Sequence, residues 1–563
     1  MEYELLLVNV MRCADLQAQY FRECIGQHMI AAYLAQRDFR ARVFSGDILD
    51  AEQVIRREAE KNGVHYVGFY VAADTVVMVG NLIRKLKETT NLTVLVGGPQ
   101  AASLDEGFLR ETGCDYIIVG EGERPVYLLL SYLEDGAGSL DQLKSLRYLD
   151  ANGILHDTPL DEPIEDLDTL PYPRRQDSMH KNFRGRQTIG LLTGRGCPFH
   201  CAFCYEGASS KVVRFRSIEN VMSEIDEVLT YNPTLTYVNL FDDTFTLRPE
   251  RVDEFCREIK KRGLRWTCEG HVSCVHRNPK MLETMIDAGL VAMQIGIESG
   301  NRQVLDAYQK HTTPEMIEEI VRLCHRMGLQ TMDGNYIIGG AWESDETLSE
   351  SLSHAKRLIE AGRGMMELQT VFFAPYFDTP ITKCPEKFGI QLLPHRIGHT
   401  VTTMREPVIR TAGLSESALV DWKYRFDCEI KEQYLSQAAL CTKSDIFRIT
   451  LTDHPIRFMG RRWQESWSEI PHIAEFIQHS TRIEQEYTPD KYPIRTGMAQ
   501  FSGDTIVVDR HITLTGIKAA AWYYADGRHT VVELSAVLRI QTEELSRVYI
   551  ELNNRCLVYF SPY

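Results

Sequence analysis

The chain has 563 residues, too many for one ordinary hydrophobic core, and this length predicts three or four domains. Its hydrophobic content of 44% and charged content of 25% are those of a globular protein. The formal net charge of −16 argues against a nucleic-acid partner, because surfaces that bind nucleic acid are normally basic.

The first residues, "MEYELLLVNVMRC", lack the basic region of a signal peptide, and their apolar run is only strand-sized. No apolar segment approaches the ~18–20 residues needed to span a membrane. We therefore expect a cytoplasmic protein without a membrane partner. Its 14 cysteines are then mostly reduced, so a tight cysteine cluster indicates metal binding rather than a disulfide.

Residues 1–135 alternate short apolar strands with helix-periodic segments, a pattern that predicts an α/β domain with a Rossmann-like parallel sheet. The predicted strands are Leu5–Asn9, Ala41–Ser45, Tyr66–Tyr70, Val94–Val96 and Tyr116–Val119. Ligands bind such sheets at the carboxyl ends of the strands, where "GGP" (97–99) and "GEGE" (120–123) stand. Glycine lets the backbone approach a flat ligand, although ordinary strand-to-helix turns would also explain these residues.

Residues 136–180 are poorly periodic and rich in proline and acidic residues, which predicts a linker that runs extended over the surface. Strands and longer helices resume in residues 181–399, where about six βα units predict a partial (β/α)6 barrel. One of its helices has Thr313 as a cap, Pro314 at its first position and Gly328 at its end. Catalytic groups of such a barrel belong at the strand C-termini and in the loops that follow.

The rest of the chain loses this alternation. Residues 400–500 are predicted to be mostly helical and irregular, and residues 501–563 have the outline of a small winged helix. In that outline the strands "TIVVD" and "HITL" precede three helices and a final strand, "LVYF". Thr530 and Glu533 form the capping box that opens the second of these helices.

The stretch "TGRGCPFHCAFCYEG", residues 193–207, places Cys197, Cys201 and Cys204 within eight positions. This spacing can hold three irons of a cubane iron–sulfur cluster and leave the fourth iron open to a substrate or cofactor. A zinc site that uses His200 or a distant fourth cysteine, or unrelated core cysteines, would also fit the spacing.

The cysteines follow the first strand of the predicted barrel, and residues 188 to about 375 resemble the radical SAM family (SAM, S-adenosylmethionine). The resemblance implies a 4Fe-4S cluster on Cys197, Cys201 and Cys204, with SAM as its fourth ligand. In "FDDTF" (241–245) the carboxylates would accept from the SAM amino group, and in "GIESGNRQVL" (296–305) Glu298 would accept from the ribose hydroxyls. The SAM-binding residues that it implies are Phe203, Asp242, Asp243, Ser273, Glu298, Ile338 and Gly339.

One departure, one further similarity and one absent segment refine this resemblance. Where relatives carry an Arg-x-Asp pair, this chain has His271 and Ser273, so carboxylate binding by this segment is not supported. The layout of "VGGP", "VGEGE", "IEDLDTLPYPRR", the cysteines and "PYFDTP" (375–380) resembles the cobalamin-binding radical SAM group. The cobalamin contacts that it implies are Asn9, Val71, Ala72, Ala73, Asp74, Thr75, Gly97, Gly98, Pro99, Gly120, Glu121, Gly122 and Glu123. No Asp-x-His-x-x-Gly segment is present, so cobalt would have no protein histidine below it, where the loop Val71–Thr75 would lie.

The resemblance implies C-methylation of an unactivated carbon by SAM and methylcobalamin, with electrons from a donor such as ferredoxin or flavodoxin. Hydrogen abstraction needs no general base, and we assign none, although Tyr205, Glu206 and Tyr308 are candidate cavity residues. A rearrangement or cyclisation without methyl transfer, methylation of a small natural-product intermediate, and a non-catalytic scaffold are the alternatives.

The C-terminal outline resembles the element that recognises precursor peptides in enzymes that modify ribosomally made peptides. Such an element binds a leader peptide as an added strand beside a helix groove, which implies a precursor peptide as partner and substrate. DNA binding and a plain structural cap are the alternatives, and the scarcity of lysines with several acids disfavours DNA.

Overall fold

A computed structural model of the chain describes residues 4–11, 23–72, 74–136, 138–179, 187–205, 212–394, 406–451, 461–480, 487–502 and 505–561. Of the residues predicted to form the site, Ala73 and Glu206 lie outside this part of the chain. No helix in these ranges is both long enough and apolar enough to cross a membrane.

The first domain is a seven-stranded sheet in the order β2-β1-β3-β4-β5-β6-β7. Its strands are β1 (Leu5–Val10), β2 (Ala41–Gly46), β3 (Tyr66–Tyr70), β4 (Thr93–Gly97), β5 (Tyr116–Ile118), β6 (Leu146–Leu149) and β7 (Leu155–Asp157). Its helices are α1 (Ile25–Ala35), α2 (Ile48–Asn62), α3 (Val76–Thr89), α4 (Glu106–Thr112) and α5 (Glu123–Asp135). The first five strands are parallel, as the strand–helix alternation predicts, and the sheet carries a hydrophobic core on each face.

The sheet continues beyond residue 135, the domain boundary predicted from the sequence. β6 and β7 lie in the predicted linker and pair antiparallel with β5 and with each other. The short segments "LRYL" and "LHD" carry little periodicity of their own, so their strand structure depends on pairing with the sheet edge.

The central domain is a six-stranded parallel sheet in the order β15-β14-β13-β12-β11-β8, which confirms the partial barrel. Its strands, with the short ribbon β9–β10, are β8 (Thr188–Leu191), β9 (Gly194–Arg195), β10 (Arg214–Phe215), β11 (Tyr237–Leu240), β12 (Arg265–Gly270), β13 (Leu290–Glu298), β14 (Thr331–Ile338) and β15 (Met366–Phe372). The helices are α6 (Ile218–Tyr231), α7 (Pro249–Lys261), α8 (Val272–Arg277), α9 (Pro279–Asp287), α10 (Arg302–Ala307), α11 (Pro314–Met327) and α12 (Asp345–Ala361).

The boundaries of α11 show how local sequence sets these elements. The Thr313 side chain accepts from the backbone N–H of Met316, and Pro314 occupies the first turn, where no donor is needed. Gly328 ends the helix in the left-handed conformation with φ of 83°. All three predicted signals are present.

The linker does not stay on the surface as predicted, because Arg175 is buried between the two domains. Its guanidinium pairs with Glu23 of the first domain at 2.7 Å and with Glu224 of α6 at 2.7 Å. It also donates to the carbonyl of Gly190 in β8 at 2.6 Å. Burial opposes the charge of Arg175, but the two carboxylates outweigh it and raise the pKa of the guanidinium.

The C-terminal part divides between the barrel core and a separate small domain. Its remaining elements are α13 (Pro380–Lys383), β16 (Ile390–Leu392), β17 (Ile409–Thr411), α14 (Glu416–Ser436), α15 (Lys443–Leu451), α16 (Arg462–Trp467), α17 (Pro471–Ser480), β18 (Tyr492–Arg495), β19 (Ala499–Ser502), β20 (Thr505–Val508), β21 (Ile512–Thr515), α18 (Gly516–Tyr524), α19 (Val531–Leu538), α20 (Thr542–Asn554) and β22 (Val558–Ser561). Trp463 and Trp467 are fully buried against Tyr434 and join the barrel core. The small domain has its own core beneath the sheet β19-β20-β21 and helices α18–α20.

Candidate active site between the two α/β domains

The three cysteines lie in the loop that follows β8 and β9, at the carboxyl end of the barrel strands. Cys201 is buried, whereas Cys197 and Cys204 are half-buried. Burial raises the pKa of Cys201 to about 11, the charge of Lys310 opposes this effect, and Cys204 and Cys197 add to it. The three thiols therefore share one electrostatic environment, in which binding to iron ions would favour the thiolate forms.

The arrangement of these cysteines also bears on the zinc alternative. In the described ranges, no three His, Cys, Asp or Glu side chains meet closely enough to share one metal ion. A cubane cluster distributes its thiolates over separate irons, so it does not require such convergence. His200, one candidate for a fourth zinc ligand, is exposed. Another cysteine, Cys274 of α8, is half-buried; burial raises the pKa of its thiol, and the charge of Cys197 adds to this effect.

Asp242 and Asp243 follow β11, as predicted, but they have different surroundings. Asp242 is buried, and its carboxylate accepts from the backbone N–H of Thr193 at 2.6 Å and from the Thr193 hydroxyl. Asp243 is partly exposed and accepts from the N–H of Gly196 at 2.9 Å. Burial raises the pKa of Asp243 to about 6, and the charge of Asp242 adds to this. Asp242 therefore holds the cysteine loop, and Asp243 is the carboxylate that remains accessible to an ammonium group.

Glu298 ends β13 at a bulge and forms a buried ion pair that the sequence did not predict. Its φ of 63° is unusual for a residue other than glycine and turns its side chain toward Lys310. Lys310 Nζ lies 2.8 Å from Glu298 Oε1 and 5.7 Å from the centre of the Phe203 ring. Burial opposes the charge of Lys310, but Glu298 and the neighbouring Cys201 outweigh it and raise the lysine pKa. The site thus holds a cation beside the cysteines, where an anionic cluster or a carboxylate would fit.

Gly296 makes room for this pair, because a Cβ at this position would collide with Glu298 Oε1 and Lys310 Nζ. We expect Gly296→Ala to separate the ion pair and weaken SAM binding about tenfold, the loss typical of one charge-assisted hydrogen bond. Equilibrium dialysis with the reconstituted protein measures this affinity. Gly413→Ala is the control, because its Cβ would meet only ordinary van der Waals contacts. Equal SAM affinities for the two variants would contradict the assignment.

His271 and Ser273, which replace the Arg-x-Asp pair of relatives, contact each other. His271 Nδ1 accepts from the backbone N–H of Ser273 at 3.3 Å and lies 2.8 Å from the Ser273 hydroxyl. The imidazole stacks on Phe199 of the cysteine loop, with ring centres 3.7 Å apart. Burial lowers the pKa of His271 to about 3, so the ring is neutral at physiological pH. This segment packs against the cysteine loop, and the cation beside it is Arg277, whose guanidinium donates to the Ser273 carbonyl at 2.9 Å and to the Ser273 hydroxyl at 3.2 Å.

Ile338 ends β14 and Gly339 follows it, at a turn that a buried carboxylate shapes. Glu343 accepts from the backbone N–H groups of Gly339 at 2.5 Å and Gly340 at 2.9 Å. Tyr308, a predicted cavity residue, is fully buried, with its ring edge against Phe203 at 4.8 Å between centres. Phe203 and the Gly339 turn thus belong to one packed region, with Tyr308 behind them.

Burial raises the pKa of Glu343 from its ordinary 4.5 to about 7. The folded state therefore binds the proton more tightly, and this contribution to stability is complete below pH 4.5 and lost as pH rises through 7. We expect wild type to lose up to about 3 kcal/mol of this contribution by pH 8, at 1.4 kcal/mol per pKa unit, and Glu343→Gln to lose none of it. Thermal unfolding at pH 5 and 8 tests this, with exposed Glu346→Gln as control. Parallel pH dependences of wild type and Glu343→Gln would disprove the linkage.

A cavity of about 750 Å³ separates the carboxyl end of the first sheet from the cysteine loop. The predicted residues that line it are Gly97, Gly98, Pro99, Gly120, Glu121, Gly122, Glu123, Tyr205 and Asp243. Lining residues that the sequence did not single out include Gln27, Gly68, Tyr70, Ser145, Asp161, Arg195 and Arg214. The predicted contacts Asn9, Val71, Ala72, Asp74 and Thr75 lie outside its lining, and the Thr75 hydroxyl accepts from the N–H of Ala72 at 3.0 Å. The surface of the wall is more apolar than polar, which suits a large ligand.

Gly98 shows why this wall requires glycine. Its φ is 112°, and a Cβ there would lie 2.7 Å from the carbonyl oxygen of Val71 and 3.0 Å from its nitrogen. Only glycine therefore lets the loop after β4 lie against the loop after β3.

Comparison with known families agrees with this division. Residues 16–130 match the model of the B12 binding domain, and residues 191–355 match that of the radical SAM superfamily. The chain contains a B12-binding domain followed by a radical SAM domain. A B12-binding domain binds cobalamin, and a radical SAM domain binds a 4Fe-4S cluster and SAM. The residues present fit these groups, because the cavity wall carries the glycine loops and the three cysteines lie beside a buried cation.

The similar proteins include methyltransferases and other enzymes. An uncharacterized methyltransferase of Pyrococcus horikoshii is 30% identical over 50% of this chain and 61% of its own length. The anaerobic magnesium-protoporphyrin IX monomethyl ester cyclase of Rubrivivax gelatinosus is 28% identical over 47% of this chain and 49% of its own length. The chain thus spans about half to three-fifths of these relatives.

Two solved structures share the fold. The cobalamin-dependent SAM radical enzyme OxsB, with aqua-cobalamin and SAM bound, has a TM-score of 0.64 at 16% identity and covers 85% of this chain and 71% of its own. The radical SAM methyltransferase TsrM of Kitasatospora setae, with cobalamin and a 4Fe-4S cluster, has a TM-score of 0.57 at 17% identity, covering 69% of this chain and 77% of its own. The likeness to these two structures is one of fold.

Proposed function

We propose that the chain is a cobalamin-dependent radical SAM C-methyltransferase that acts on an unactivated carbon of a residue in a ribosomally made precursor peptide. One observation carries the enzymatic part. A single cavity is lined by the glycine loops of the B12-binding domain on one side and by Gly196, Tyr205 and Asp243 of the radical SAM domain on the other.

When bound, SAM and the cluster supply radical hydrogen abstraction and cobalamin supplies the methyl group, with electrons from a donor such as ferredoxin or flavodoxin. Cys197, Cys201 and Cys204 would hold the cluster. Asp243 would accept from the SAM ammonium, and the Glu298–Lys310 pair would meet its ribose hydroxyls and carboxylate. Gly98 and Gly120 would let cobalamin lie against the backbone.

The remaining work of the chain is to orient groups and exclude water. Asp242 fixes the start of the cysteine loop through Thr193, and Glu343 fixes the turn at Gly339. Tyr205 faces the cavity from the radical SAM side and is the side chain best placed to contact a substrate. No general base is required for hydrogen abstraction, and the site residues act by holding their ligands in place.

The C-terminal domain supports the peptide part of the proposal. The last strand of its three-stranded sheet, β21, pairs only with β20 among the described strands, so its other edge is open to an added strand. The domain also exposes large apolar side chains at Met498, Phe501, Tyr523, Tyr524, Val532, Val537 and Ile550. Of these, Phe501, Tyr523 and Tyr524 contact one another, and exposed aromatic side chains of this kind suit an extended peptide with apolar side chains.

Incubation of the reconstituted protein with reductant, candidate precursor peptides and SAM labelled in its methyl group tests the proposal. We expect labelled methyl on the peptide, together with the two SAM coproducts, 5′-deoxyadenosine and S-adenosylhomocysteine. A peptide that is altered but gains no methyl group would show that the reaction is a rearrangement or cyclisation and not a methylation. Label in a small metabolite but in no peptide would refute the peptide substrate.

A further inference from the structure

Four charged residues join the two domains at the rim of the cavity, and we call them the rim ion-pair cluster: Glu121 and Glu123 of the "GEGE" loop, with Arg195 of β9 and Arg214 of β10. Arg195 lies 3.0 Å from Glu121 and 2.5 Å from Glu123. Arg214 pairs with Glu121 and donates to the carbonyl of Ile164 at 2.7 Å. All four residues also line the cavity.

The rim ion-pair cluster is largely removed from water, and its two arginines balance its two glutamates in charge. The side chains of Arg195, Arg214 and Glu123 are 13%, 6% and 4% exposed, and Glu121 is 29% exposed. Burial opposes ionisation of Glu121, but Arg214 and Arg195 outweigh it and lower the pKa of this carboxyl. Buried ion pairs contribute little net stability but cost much when one partner is removed, because the other charge is then left uncompensated.

The strand pairing links the rim ion-pair cluster to the cysteine loop. Arg195 stands two residues before Cys197, and it lies directly opposite Arg214 in the antiparallel ribbon β9–β10. Like charges at opposed positions destabilise a strand pair. Glu121 contacts both arginines and compensates for this repulsion, so the ribbon that leads into the cysteine loop depends on a carboxylate of the other domain.

We propose that Glu121 and Glu123 are positioning residues, which dock the glycine loop of the B12-binding domain onto the cysteine loop and so fix the spacing between cobalamin and the cluster. Their carboxylates are engaged by arginines, while the loop that carries them faces the cavity. This inference rests on the proposed function, because spacing matters only if both groups take part in one reaction. Arg175 joins the domains at a separate place, so loss of the rim ion-pair cluster leaves them attached.

The test compares wild type with the double variant Glu121→Gln/Glu123→Gln, with Arg195→Gln, and with the triple variant that combines them. All four proteins are reconstituted with cobalamin and the 4Fe-4S cluster. Glu106→Gln is the matched control, because it removes an exposed ion pair with Arg110 from the same domain. Hydrogen exchange of residues 119–124 and 192–197 reports docking. Spin–spin interaction between cob(II)alamin and the reduced cluster reports spacing, and methylated product per 5′-deoxyadenosine reports coupling.

We expect the glutamine variants to keep the wild-type iron content and to cleave SAM. Exchange in both segments should rise, the spin–spin interaction should weaken, and product per 5′-deoxyadenosine should fall about tenfold, with the triple variant no worse than either parent. The proposal would be overturned if hydrogen exchange and the spin–spin interaction stayed at their wild-type values. It would also be overturned if exchange changed while methylated product per 5′-deoxyadenosine did not. If wild type forms no methylated product, the proposed function fails. Hydrogen exchange and the spin–spin interaction still decide whether the rim ion-pair cluster docks the two loops.

Discussion

Replacement of Cys201 by alanine should abolish cluster assembly and SAM cleavage, lowering 5′-deoxyadenosine formation at least about a thousandfold. Cys201 is the buried member of the three cysteines and lies beside Lys310, so no solvent ligand can easily take its place. Iron and sulfide analysis, the absorbance of the reconstituted protein and quantification of 5′-deoxyadenosine measure the loss.

Two other cysteines make this result interpretable. Cys428→Ala changes a half-buried cysteine of α14 and should keep the wild-type iron–sulfur cluster. Cys274→Ala removes the half-buried thiol of α8 that is influenced by Cys197, and it should also keep iron and activity if SAM is the fourth ligand. Loss of iron in Cys274→Ala would instead indicate a closed four-thiolate site without a place for SAM.

Glu298→Gln should weaken SAM binding about 10- to 100-fold, because a charge-assisted hydrogen bond is typically worth about 1.5–3 kcal/mol. The variant keeps the side-chain shape but loses the charge that pairs with Lys310 at 2.8 Å. It also leaves a buried ammonium without its carboxylate, which adds to the cost. Binding of SAM by equilibrium dialysis and the KM for SAM measure the effect.

Exposed Glu283→Gln provides the control for the loss of one carboxylate from the same domain. Iron content should stay at the wild-type level in both variants, since neither residue belongs to the cysteine set. A KM for SAM unchanged in Glu298→Gln would show that this carboxylate does not contact the ribose.

The positions of the residues carried by short contiguous motifs were predictable, while their ligands stay predictions. Three cysteines in eight residues, the pair Asp242–Asp243 and the glycines at 97–98 each follow a strand, as their spacing indicates. Lys310 was not predictable, because its partner Glu298 lies across a bulge whose backbone angle only the folded strand reveals. β6 and β7 were missed for a similar reason, since they become strands only by pairing with a sheet edge.

The "GEGE" loop illustrates a further limit of sequence patterns. Its glycines indicate ligand contact, and the loop does line the cavity. Its carboxylates were assigned to the same ligand, whereas Arg195 and Arg214 of the other domain engage them. Nothing near residue 121 in the sequence identifies a partner more than 70 positions away.

The burial of Arg175 has a consequence for engineering. The two α/β domains match separate family models, which invites the exchange of one for its counterpart in another protein. Any graft must also carry Glu23, Glu224 and the carbonyl of Gly190. The two carboxylates neutralise the guanidinium of Arg175, and the carbonyl accepts a hydrogen bond from it. A chimera that omits one of them would bury an uncompensated charge at its junction, so the transferable unit includes the linker and both surfaces that enclose it.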